Sequence, residues 1–106
     1  MKRRHGEEVL EDALAGGVAE LAEVLAALPA PELMQAFLED LCTPAELEAM
    51  ADRWRVVPLL AQGISYREIH DQTGVSVTTI GRVARTMERG AGGYSAALEC
   101  SQSNVR

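Results

Sequence analysis

The chain has 106 residues, 47% of them hydrophobic, and carries a formal net charge of −6. That length allows one domain with at most a short appendage, and that composition excludes global disorder. Two cysteines, Cys42 and Cys100, and two histidines, His5 and His70, are too few and too scattered for a disulfide framework or a zinc site.

The segment Met1-Lys2-Arg3-Arg4 is basic, but Glu-rich sequence follows it rather than an apolar run. Neither a signal peptide nor a membrane span is expected, so the expected location is cytoplasmic, with reduced thiols. Strand-like alternation is absent and the chain reads as all-α. Over residues 7–28, Leu10, Leu14, Val18, Leu21, Leu25 and Leu28 recur at helical spacing. Gly16-Gly17 is expected to break or kink that helix. Pro31 can open a short helix to Leu41, with Leu33, Met34, Phe37, Leu38 and Leu41 inward. Residues 1–41 are so rich in Leu, Val and Ala that one small domain could hardly cover every face. A homodimer is the expected solution, with this segment as its dimerisation element.

Thr43-Pro44-Ala45-Glu46 combines an N-cap, a first-turn proline and a glutamate at N3. The third helix should run to about Gln62 and stop at Gly63. Leu47, Met50, Trp54, Val57 and Ala61 provide its apolar spacing. Pro58 inside it should remove a hydrogen bond and kink the axis.

Residues 65–89 then read as a helix-turn-helix. Ser65 caps a helix over Tyr66–Gln72, with Glu68 in the capping-box position. Gly74 supplies the positive φ of a sharp turn. Ser76 caps a second helix from Val77 to about Arg89. Ile69, Val75 and Ile80 should be buried at the junction. On the second helix, Ile80, Val83, Ala84 and Met87 form the inward stripe. Thr78, Arg82, Arg85 and Arg89 share another face, which carries three guanidiniums and no carboxylate. Gly90-Ala91-Gly92-Gly93-Tyr94 ends the helix. Residues 92–106 are expected to be a short tail, with one helical turn at Ser95–Glu99 and fraying from Cys100 onward.

Charge divides along the same line. Residues 7–52 hold twelve acidic residues and no Lys or Arg, whereas residues 53–89 hold six Arg against three acids. A local positive field is what a polyanionic partner requires, whatever the total. There is no Ser/His/Asp or Cys/His series, no metal-ligand spacing and no phosphate-binding glycine loop. Neither a catalytic residue nor a cofactor is expected. Asp71 beside His70 reads as a solvated or DNA-side pair.

The ordered run Leu41-Cys42-Thr43-Pro44-Ala45-Glu46-Leu47-Glu48-Ala49-Met50-Ala51-Asp52-Arg53-Trp54-Arg55-Val56-Val57 continues with Leu59-Leu60, Gly63, Ser65, Arg67-Glu68 and Gly74. It ends at Thr79-Ile80-Gly81-Arg82. This series resembles the Trp repressor family over residues 41–89, and Gly92-Gly93-Tyr94 is similar to the branch of YerC/YecD-type Trp-repressor-related proteins. The resemblance implies an intertwined all-α homodimer that binds a double-stranded, palindromic DNA operator and represses transcription. It implies a DNA-binding region at residues 42–91. The expected DNA-binding residues are Arg67 and His70 on the first helix, and Ser76, Val77, Thr78, Thr79, Arg82 and Arg85 on or before the second. Thr hydroxyls can meet base edges of either polarity, Val can touch a thymine methyl, and first-turn amides can hold a phosphate.

The family's ligand pocket maps onto Arg53, Arg82 and Thr86. The residue after the recognition-helix arginine, a glycine in tryptophan-responsive members, is Val83, whose side chain should occupy ligand space. Asp40 and Cys42 replace apolar positions near the pocket floor. No small-molecule corepressor is therefore expected, and Arg53 and Arg82 are expected to meet phosphates or interface carboxylates. The competing functions are a helical protein-interaction module without DNA binding and a regulator responding to an amino-acid-like corepressor.

Overall fold

A computed structural model describes the chain over residues 5–104, with side chains from Leu10 to Gln102; the basic Met1–Arg4 lies outside the described residues. Six helices follow one another: α1 His5–Ala27, α2 Pro31–Leu41, α3 Pro44–Ala61, α4 Tyr66–Thr73, α5 Val77–Arg89 and α6 Gly93–Asn104. No strand occurs among the described residues. Two compact units divide between Cys42 and Thr43.

In the first unit, α1 runs unbroken through Gly16 and Gly17, so the expected break is absent. A glycine in a helix interior costs only about 1 kcal/mol relative to alanine, and a helix of 23 residues absorbs two of them. The apolar stripe of α1 is largely uncovered in the single chain: Leu10 is 72% exposed, Leu14 70% and Val18 58%. Pro31 opens α2 as its spacing predicts. Met34, Phe37 and Leu38 are half-buried, but Leu33 and Leu41, expected to face inward, are exposed.

The second unit holds the core. Its buried residues are Val56 and Val57 of α3, Ile69 of α4, Val75 of the turn, and Ile80 and Val83 of α5. The predicted start of α3 forms in full. Thr43 Oγ1 accepts from the Glu46 amide at 3.2 Å, and Glu46 Oε1 accepts from the Thr43 amide at 2.8 Å. Donation to the Glu46 carboxylate by the Thr43 amide foremost, and by the Thr43 hydroxyl, holds its pKa below the ordinary value. The helix continues through Pro58, which has no N–H to give Trp54, and ends where Gly63 turns at φ 78°. Val56 lies outside the expected apolar spacing of α3 yet is fully buried, while Met50 and Ala61 within that spacing are exposed.

The expected tail is a helix. Gly92 turns at φ 88°, and α6 then runs for 12 residues and packs on α3. Tyr94 and Leu98, one turn apart, lie against the core. That apolar contact carries the helix past Glu99, where local signals alone suggest fraying.

Candidate nucleic-acid interface

Each part of the hairpin is set by a local hydrogen bond. Ser65 Oγ accepts from the Glu68 amide at 3.2 Å and starts α4. The reciprocal half of the expected capping box does not form, because Glu68 Oε1 instead accepts from Gln72 Nε2 at 3.2 Å. Gly74 closes α4 in the left-handed region at φ 76°, its amide donating to the His70 carbonyl at 2.7 Å. Thr73 stiffens the same corner: its hydroxyl donates to the Ile69 carbonyl at 2.7 Å and accepts from the Val75 amide at 3.1 Å. Ser76 Oγ accepts from the Thr79 amide at 3.2 Å and opens α5. Each such cap contributes about 1 kcal/mol.

Burial then fixes the angle of the hairpin. Ile69, Val75 and Ile80 are all buried, as expected, and they pin α4 and α5 to α3 through Val56 and Val57. Gly81 is buried on α5; a Cβ built there would lie 3.9 Å from the Tyr66 ring and 3.4 Å from an Arg85 guanidinium nitrogen. Tyr66 and Arg85 therefore cover the bare face of Gly81 where α4 and α5 meet.

The expected contact residues separate into two kinds. Arg67, Val77, Thr78, Arg82 and Arg85 are exposed with their side chains available. Ser76, Thr79 and His70 are partly committed to the hairpin itself. Ser76 Oγ donates to Thr79 Oγ1 at 3.0 Å, and Thr79 is half-buried. His70 Nδ1 lies 2.8 Å from the Val75 carbonyl oxygen, so Nδ1–H donates there and Nε2 is the nitrogen left to face outward. The amides at the start of α5 complete a surface that can hold a phosphate and touch base edges.

Behind that first turn, Arg82, Arg85, Thr86, Arg89 and Gly90 line a shallow cleft of about 360 Å³. Arg82 and Thr86 thus come together, but Arg53, exposed on α3, does not line the cleft. Val83 does not line it either. At 1% exposure it belongs to the core, because position 83 continues the stripe of Ile80 and Met87. Arg89 and Gly90 were not expected at a site; the shared face of Arg82, Arg85 and Arg89 is the sequence signal that points to Arg89.

An all-α domain with a capped, glycine-turned helical hairpin and a cationic second helix defines the helix-turn-helix class. The family model described as Trp repressor protein matches residues 17–102, and the chain belongs to the Trp repressor family. It is 40% identical over 63 residues to YerC of Bacillus subtilis, a protein of uncharacterised function, across 59% of this chain and 61% of YerC. The match thus spans about three fifths of that relative's length. A candidate Trp repressor of Staphylococcus aureus superposes with a TM-score of 0.76 at 30% identity, over 82% of this chain and 87% of that one. A TrpR like protein of Eubacterium eligens gives the same TM-score of 0.76 and 30% identity, over 82% and 90% of the two chains. Among the described residues no helix is long and apolar enough to cross a membrane.

Proposed function

We propose that the chain is a sequence-specific, DNA-binding transcriptional regulator, a repressor in the cytoplasm, that acts as a homodimer through residues 65–89. The observation that carries this is the outer face of α5, where exposed Val77 and Thr78 precede Arg82 and Arg85 on a helix anchored by buried Ile80 and Val83. Arg67 on α4 supplies a second anchoring charge. Family membership supports the same function.

Residues 1–41 serve as the dimerisation segment. The support is the run of exposed Leu10, Leu14 and Val18 on α1, with Leu33 and Leu41 on α2, since apolar surface of that extent marks an interaction face. A two-fold pair of α5 helices would read half-sites about one DNA turn apart. No small-molecule corepressor is required.

The test is fluorescence anisotropy of the full chain with a random duplex library at low salt, where phosphate contacts are strongest. Saturable binding with a dimeric stoichiometry is expected. A complete lack of binding there would favour the protein-interaction module.

A further inference from the structure

We propose that Tyr66 is a positioning residue and sets part of the sequence preference: its ring holds the Arg85 guanidinium over the bare backbone of Gly81, where that guanidinium meets a guanine edge rather than a phosphate. The proposal deepens the DNA-binding function above and rests on it.

Thr78, Gly81 and Arg85 stand at i, i+3 and i+7, on one face of α5. Thr78 and Arg85 are exposed, yet Gly81 between them is buried. Glycine has no side chain to bury, so its cover comes from its neighbours. From the place a Cβ would take, Nη1 of Arg85 lies 3.4 Å away and Cε2 of Tyr66 lies 3.9 Å away. The Arg85 side chain has therefore folded back by one turn toward the start of α5, the direction in which helical side chains lean. Tyr66 reaches the same patch from α4. A guanidinium and an aromatic ring brought together in this way attract each other through the ring's π-electrons.

The supports on both sides are fixed. Tyr66 opens α4 directly after the Ser65 cap, and Ile69, three residues on, is fully buried. Gly81 is flanked by buried Ile80 and Val83. Tyr66 itself is 42% exposed and lies outside the hydrophobic core, so core packing does not account for its ring.

Place decides what Arg85 reads. Gly81 follows exposed Val77 and Thr78 by one turn, so a guanidinium laid over it stands beside the turn that enters the groove. There its fork of N–H groups matches O6 and N7 of guanine, a pair of acceptors that no other base presents in the major groove. A guanidinium held before DNA arrives also loses less freedom on binding than a free arm does.

The experiment compares the full-length wild type with Y66F, Y66L, R85A and Y66L/R85A. The probes are the duplex enriched from a random library and its single base-pair variants. The wild type should prefer guanine at one position per half-site by about 5- to 150-fold. Y66F keeps the ring face and should keep that preference. Y66L keeps the apolar bulk without the ring and should lose the preference, as R85A should. Y66L/R85A should lose no more than R85A, because Tyr66 acts through Arg85. Unfolding midpoints show which variants are folded. A folded Y66L that keeps the guanine preference overturns the proposal alone. So do losses that add in Y66L/R85A and fall equally on every duplex, which would make Tyr66 a purely structural residue. Absence of wild-type binding to any duplex overturns the proposal together with the function on which it rests.

Discussion

The His70 ring and the Val75 carbonyl join the two ends of the turn between α4 and α5, Nδ1 to oxygen at 2.8 Å. The bond spans Gly74, the one residue of the turn with positive φ. It fixes the direction of Val75, which enters the core, and of Ser76, which starts α5. Replacing His70 by Ala should cost about 1 kcal/mol, the usual net value of one hydrogen bond. Asn places an amide N–H near the position of Nδ1, so H70N should recover part of the loss. Urea unfolding midpoints of the three proteins check this, and equal losses for both variants would contradict it.

Gly74 and Gly81 should respond oppositely to alanine. Gly74 has φ 76°, so a Cβ there costs about 1–2 kcal/mol whatever the space around it. Gly81 is helical, and an added Cβ meets only the Arg85 arm at 3.4 Å and the Tyr66 ring at 3.9 Å. G81A should therefore be neutral or stabilising by up to about 1 kcal/mol, the helix preference of alanine over glycine. Thermal unfolding of both variants tests the contrast; a destabilised G81A would show that the α4–α5 contact is tighter than this geometry allows.

These glycines also mark how much of the molecule was legible in advance. The hairpin was, because Ser65, Gly74 and Ser76 act through bonds to their own neighbours. The α3 start was legible for the same reason. The helix α6 was not: Tyr94 and Leu98 stabilise it by packing on α3, and no local signal announces that contact. Val56 was missed because it lies beside, rather than on, the spacing traced by Leu47, Trp54 and Val57. At the candidate site, the exposed arginines of α5 were legible from their periodicity. The commitment of Ser76 and Thr79 to each other was not, since it depends on hydroxyl geometry. The burial of Val83 in the core was legible as well, from the inward stripe it shares with Ile80, Ala84 and Met87.

Glu46 should make stability depend on pH. Its folded pKa lies below its ordinary value, through the bonds from the Thr43 amide and hydroxyl. A carboxylate depressed in this way stabilises the fold above its unfolded pKa, and the contribution disappears as pH falls through the folded value. Stability should accordingly fall on acidification below the ordinary carboxylate pKa of about 4.3. Glu46→Gln can still accept from the Thr43 amide but does not titrate. Its unfolding midpoint should lose part of the wild-type pH dependence between about pH 3 and 6, and an unchanged profile would argue that other carboxylates set the acid limit.

L-Tryptophan should not bind at micromolar concentration. Arg53 does not line the cleft that brings Arg82 and Thr86 together. Isothermal calorimetry of the full chain with L-tryptophan and related amino acids should give no saturable heat. Saturation at micromolar ligand would restore the amino-acid-responsive regulator.

The most direct measurement is selection from a random duplex library by the wild-type chain and by R67A/T78A, each checked for its assembly state by sedimentation. Arg67 and Thr78 are exposed on α4 and at the start of α5, so neither substitution disturbs the core. The wild type should enrich a palindromic site with half-sites about one helical turn apart, and R67A/T78A should keep the same mass while losing the enrichment. Equal enrichment by both proteins would move recognition away from the hairpin, and no enrichment by a folded wild type would contradict operator recognition altogether.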